Sequence, residues 1–235
     1  MMPRPARDPH LVTKILVAVN AVVFLLVRAD PGVLLPGQLV GAYVDRLGGP
    51  VHGVAAGEYH RLLTAVFLHE QWWHLLGNLL GLWFLGGPLE AALGRARFLA
   101  LYVLSGLGGS ALAYAVTEPN VPTLGASGAV FGLLGASVVQ MRAAREDLRP
   151  VAALVAVLLL LSFVPLGGGA GGEERWTVSW EAHVGGLVTG VLIGVGMFGV
   201  RPGPGRTGAV AAWGACGVAF VLVVAAVLVR TAELT

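Results

Sequence analysis

GASGAVFG, residues 125–132, opens an apolar stretch that closes at Met141. Those 17 residues make roughly 25 Å of helix at 1.5 Å per residue. A bilayer's hydrocarbon core is about 30 Å thick, so such a helix cannot reach both surfaces. Arg142 and Arg145 anchor its inner end, which leaves the outer end submerged. The preceding TEPNVPTL, residues 117–124, must then dip inward. Non-helical backbone at that depth is tolerated only against protein or a water-filled cavity. Ser127 therefore stands at a sunken helix start, a plausible place for hydrolysis. Gly128 and Gly132 behind it form a GxxxG face, which lets two helix backbones approach closely.

The rest of the chain supports the bilayer as solvent. Of 235 residues, 56% are apolar and 12% charged, against about 25% charged in soluble domains. Mean hydropathy is +0.80. The 35 glycines are roughly twice ordinary usage and suggest close helix packing. Apolar stretches cover about 11–28, 73–90, 97–116, 125–141, 150–167, 180–200 and 209–230. The expected architecture is an all-α polytopic membrane protein of seven spans. Residues 1–10 form an N-terminal segment and 11–200 a six-helix core with a long first loop, 29–72. Residues 201–235 add a linker and a seventh helix. The run from Leu11 to Val27 lacks a small-residue cleavage pattern and reads as a retained first helix. One cysteine, Cys216, excludes an internal disulfide and a cysteine-ligated zinc site. A net charge of +2 offers no basic field for nucleic acid.

Orientation follows the distribution of Lys and Arg. With the N-terminus inside, inner segments hold ten of the 15, and outer segments hold Arg28, Arg46, Arg61, Arg175 and Arg230. The expectation is a cytoplasmic N-terminus and an outer C-terminus in a bacterial-type plasma membrane. Helices two, four and six then all run from outside to inside. His74 and Asn78, Ser127, and His183 stand near their respective outer ends, at similar depth.

That constellation has a chemistry. A serine hydroxyl needs a base, and histidine is the usual one. Ser127 and His183 supply the pair if helices four and six touch. Gly186, Gly190 and Gly194 give helix six a small-residue face to match Gly128 and Gly132. The N-terminal turn of helix four offers free backbone N–H groups, that of Ser127 among them, to a developing oxyanion. His74 and Asn78 share a helix face at i,i+4 and add side-chain donors. No Asp or Glu lies where it could orient His183. Glu181, two residues before it, falls on the wrong face. The reading is a Ser–His dyad.

HLLGN at 74–78, GASGAVFG at 125–132 and AHVGGLVTG at 182–190 together resemble the three signature segments of the rhomboid intramembrane serine proteases. The resemblance covers roughly residues 58–200, in the family's order and spacing. It implies Ser127 as nucleophile, His183 as base, and His74, Asn78 and the Ser127 backbone N–H as oxyanion donors. It implies transmembrane proteins as substrates, the lipid bilayer as the setting, and no cofactor or metal. Segment 29–72 corresponds to the family's first loop and Arg61 to its structural arginine; FLGGPLE, with Glu90, resembles the end of its second helix. Two positions depart from the pattern: the family's Trp-Arg pair is His60-Arg61, and Phe131 stands where a tyrosine is often found. Ring stacking under the base survives the second change, but the hydroxyl does not.

Plainer readings fit the remaining polar residues. Ser105, Ser110, Ser137 and Ser162 read as structural serines bonding their own helix. HEQWWH at 69–74 spaces its histidines i,i+5, which rotates them apart and breaks the zinc pattern HExxH. His69 reads as a loop-packing residue, and His10, His52 and His60 as exposed or interfacial. GASG is not the GxSxG elbow, because the second glycine comes one place early. Trp72 and Trp73 read as interface anchors, and Cys216 as a small apolar packer. Two rival functions remain: an inactive relative that binds and sorts membrane proteins, and a transporter using His74 and His183 as a relay.

Overall fold

The computed structural model describes residues 8–44, 49–163, 179–199 and 206–235. Among the described residues, seven principal helices carry the fold: α1 Leu11–Ala29, α2 Trp72–Leu93, α3 Arg95–Val116, α4 Ser127–Ala144, α5 Arg149–Leu161, α6 Trp180–Gly194 and α7 Arg206–Leu234. A short π-helical turn, Val195–Gly199, continues α6. α1, α2, α3, α6 with its continuation, and α7 are long and apolar enough to cross a membrane. The chain is a multi-pass membrane protein. α4 starts at Ser127 itself, two residues later than the apolar run, and extends through Ala144. α5 has 13 residues. The end expected for the fifth span, 164–167, lies outside the described residues, as do Arg4, Arg7, Arg46, Arg175 and Arg201 of the charge count and most of the linker before α7.

α3 is the central helix. Phe98, Leu101, Tyr102, Ser105, Gly106, Gly108, Gly109 and Ala113 are all buried along it, and it packs against α4, α6 and α7. Close approach is possible because the facing positions are small. A Cβ at Gly109 would come 2.6 Å from the Ala182 carbonyl oxygen on α6. α4 and α6 meet in the same manner. A Cβ at Gly186 would strike the Gly128 carbonyl, and one at Gly190 the Gly132 carbonyl. Gly135 repeats the contact one turn on, where a Cβ would lie 2.6 Å from Leu187 O. Backbone against backbone leaves no room for side chains, and dispersion contacts replace the hydrophobic drive that lipid does not provide.

α1 is attached at its N-terminal end by an acid. Glu90 of α2, 1% exposed, accepts from Val12 N (2.9 Å), Thr13 N (2.8 Å) and Thr13 Oγ1 (2.8 Å). Those amides belong to the first turn of α1, where no intrahelical acceptor exists. A buried carboxylate bonded by three donors thus caps a neighbouring helix.

Segment 29–72 does not span. It folds into helical turns and a two-stranded antiparallel ribbon, β1 Tyr43–Val44 with β2 Val51–His52, pairing Tyr43 with His52. Arg61, 2% exposed, staples the segment together. Its guanidinium donates to Leu35 O (2.6 Å), Gln38 O (3.0 Å) and Glu58 (2.6 Å). Burial pushes the Glu58 carboxyl up, but hydrogen bonds from His52, Gly53 N and Arg61 outweigh it and bring the group down to about 2. The same segment receives the loop before α4. Leu39 and Thr123 exchange backbone hydrogen bonds of 2.9 and 2.8 Å, Ala42 N donates to Pro119 O, and Gly125 N donates to Ala65 O. The irregular backbone ahead of α4 is satisfied by protein, as its expected depth requires.

Candidate active site

The Gly125–Ala126 turn aims the start of α4. Gly125 has φ +122°, a conformation that costs L-residues dearly. A Cβ there would also come 2.6 Å from the His74 ring. Glycine therefore serves twice: it turns the chain into α4 and lets His74 of α2 close over the turn. Ser127 follows as the first helical residue. α6 is started by Ser179, whose Oγ accepts from Ala182 N at 3.2 Å. His183 lies in the first turn of α6, 5% exposed.

The two helix starts are neighbours. A Cβ on Gly128, next to Ser127, would lie 3.1 Å from the oxygen of Ala182, next to His183. The His183 ring stacks on Phe131, one turn below Ser127, at 4.1 Å between centroids and 16° between planes. Ser127 and Phe131 occupy one face of α4 at i,i+4, so the imidazole lies against the face that carries the serine. His183 Nε2 is buried and makes no hydrogen bond. Ser127 lines a cavity of about 420 Å³ together with His74, Gly125, Gly128, Ser162 and Trp180, among others; His183 lies behind its neighbour Ala182, outside the lining.

His74 and Asn78 divide. His74 lines the cavity, with a buried and unpartnered Nε2. Asn78 is not among the lining residues; its Nδ2 lies 3.0 Å from His69 Nε2. His69 is fully buried, and its Nε2 also receives Ala126 N–H at 3.4 Å. Burial, together with the proximity of His74, holds His69 down to about 3. The ring is neutral, and Nε2 accepts from both donors. It stands edge-on to His74, with centroids 5.1 Å apart. His69 thus links the turn before Ser127 to α2, a role beyond filling a loop. The i,i+5 spacing that argued against zinc is what puts one histidine before α2 and the other within it.

Ser162 is the second residue whose place the sequence does not disclose. It follows the last residue of α5, and its Oγ lies 2.6 Å from His183 Nδ1. Beside it Phe163 stacks on Trp180, 5.7 Å between centroids. Glu181 is engaged elsewhere, accepting from Ser179 Oγ at 2.9 Å. Among the described residues, no cluster of three or more His, Cys, Asp or Glu is arranged to hold a metal ion.

Ser127 starts α4, and the His183 imidazole lies over the same helix. Residues 56–200 match the Rhomboid domain as a family. The chain belongs to the rhomboid family. It is 34% identical to YdcA of Bacillus subtilis over 165 residues, which cover 68% of this chain and 77% of YdcA. It is 33% identical over 181 residues to the rhomboid protease GluP of the same organism, covering 76% of this chain and 33% of GluP. RHOMBOID-like protein 1 of Arabidopsis thaliana is 37% identical over 145 residues, covering 62% of this chain and 36% of the relative. The chain thus spans about three quarters of YdcA and about a third of the other two. The matched segment, 56–200, runs from within segment 29–72 through α6, so it contains the starts of both α4 and α6.

Proposed function

We propose that the protein is an intramembrane serine endopeptidase that cleaves transmembrane segments of other proteins. The observation that carries this reading is the His183 ring, stacked on the Ser127 face of α4 with its Nε2 unpartnered. Ser127 Oγ attacks the scissile carbonyl carbon while His183 Nε2 takes its proton. The carbonyl oxygen becomes an oxyanion, which the Ser127 backbone N–H and His74 stabilise, with Asn78 behind them steadied by His69. Collapse of the tetrahedral species breaks the peptide C–N bond, and His183 returns the proton to the leaving amine. A water, deprotonated by His183, then hydrolyses the acyl-enzyme and frees Ser127.

The orientation goes with this reading. The N-terminus faces the cytoplasm, the C-terminus and the cavity mouth face outward, and the host is a bacterial-type plasma membrane. Residues 11–200 form the catalytic core and 201–235 an added helix with its linker. A reporter fused after Thr235 lies outside the cytoplasm; a cytoplasmic reporter reverses the assignment. The catalytic test is labelling of purified protein by a fluorophosphonate probe. Wild type reacts and Ser127→Ala does not. Equal labelling of both, or labelling of neither alongside proton flux in liposomes, rejects the protease.

A further inference from the structure

We propose that Ser162 is the positioning residue that holds His183 in the tautomer a base requires. The proposal rests on the reading of His183 as base, and adds a third member that no carboxylate provides.

The argument is a count of protons. Ser162 Oγ has one hydrogen. It lies 2.9 Å from Leu158 O, the carbonyl one turn back on α5, and 2.6 Å from His183 Nδ1. A carbonyl oxygen cannot donate, so the contact with Leu158 consumes the hydroxyl proton. The second contact is a hydrogen bond only if Nδ1 carries a proton and Ser162 Oγ accepts it. A neutral imidazole has one N–H. With that proton on Nδ1, Nε2 is bare. Nε2 is the nitrogen without a partner, and it must be bare to accept a proton from Ser127. Ser162 and His183 are each 5% exposed, so water competes little for either atom.

The habit that makes a helical serine look uninteresting, bonding the carbonyl four residues back, is thus what converts it into an obligate acceptor. Phe131 fixes the plane of the imidazole; Ser162 fixes its rotation within that plane and the site of its proton. The bond joins the C-cap of α5 to α6, and α5 itself contains no buried residue. The competent tautomer therefore depends on the end of α5 being seated.

The test uses the full chain in proteoliposomes, with a cleavable transmembrane substrate and ¹⁵N-histidine NMR. In a Ser–His–Asp enzyme, losing tautomer control costs about ten-thousandfold in kcat. A neutral hydroxyl is a weaker holder, and Ser162→Ala is expected to lower kcat about ten- to a hundredfold, with KM within about twofold. Fluorophosphonate labelling of Ser127 slows by the same factor, and Ser162→Thr, which keeps the hydroxyl, restores both. In the unsubstituted protein, the His183 spectrum, assigned by loss in His183→Gln, shows the proton on Nδ1. In Ser162→Ala that preference disappears. Unchanged kcat in Ser162→Ala, a loss confined to KM, failure of Ser162→Thr to rescue, or a neutral His183 protonated on Nε2 in the unsubstituted protein each overturns the proposal. Because the spectrum of the unsubstituted protein needs no variant other than the assignment control, it decides even if Ser162→Ala does not fold. Full activity in His183→Gln would instead reject the dyad, a different result from any of these.

Discussion

α4 and α5 adjoin in the chain and are built to opposite specifications. α4 is buried continuously from Gly128 to Ala136, and its carbonyls lie against the α-carbons of α6. α5 is apolar from Pro150 on yet has no buried residue; Val151, Val155, Leu158 and Leu159 are half-buried along one face, and Ser162 and Phe163, just past its end, join it to α6. The lesson is a division of labour. The proposed pair, Ser127 and His183, rides on backbones with no freedom to part. The wall beside them is held by a half-buried stripe and by the side chains at its end.

The largest effect tests the rigid half at its reacting atoms. Ser127→Ala and His183→Ala each remove essentially all turnover of a transmembrane substrate. The double variant is no worse than either single one, because a nucleophile and its base act as a unit. Additive losses would mean that the two residues work separately.

Next comes the backbone contact. Gly190→Val places a branched side chain against the Gly132 carbonyl. Overpacking of this kind costs about 1–3 kcal/mol in an ordinary core. Here neither backbone can yield, so cleavage should vanish and the thermal midpoint in detergent should fall. Full activity would show that α4 and α6 can separate without harm.

A smaller loss is expected on α2. His74→Ala removes a donor that lines the cavity and slows turnover about a hundred- to thousandfold. Asn78→Ala, one turn deeper and bonded to His69, costs less than His74→Ala. Fluorophosphonate labelling of Ser127 persists in both. If Asn78→Ala were the worse of the two, the order of the donors would be reversed.

The smallest effect belongs to α5. Leu154 and Leu160 are 46% and 68% exposed. Replacing either by alanine should shift stability by no more than about 0.5 kcal/mol, as for surface positions generally. A drop as large as that of Gly190→Val would show α5 to be part of the rigid half.

The division was only partly readable in the chain. Length and charge pointed to a short α4, and the loop before it pairs its backbone with segment 29–72. Glycines spaced by four pointed to the α4–α6 contact, because periodicity carries that information. The role of α3 was hidden: Gly106, Gly108 and Gly109 have no four-residue spacing, and their partners are spread over α4, α6 and segment 29–72. Ser162 and His69 were hidden for another reason. Each is a polar residue with an ordinary local explanation, and what distinguishes it is a partner brought close by tertiary packing, 21 residues away in the first case and 57 in the second.

The α4–α6 contact also bears on how such a chain can change over generations. Any replacement of a glycine by another residue adds a side chain. At Gly132, Gly186 and Gly190 there is no small first step, since even a methyl group meets a neighbouring helix. A lineage cannot adjust the distance between Ser127 and His183 by gradual substitution at these positions. New specificity must be found around the cavity's rim, while the spacing of the reacting pair is inherited whole.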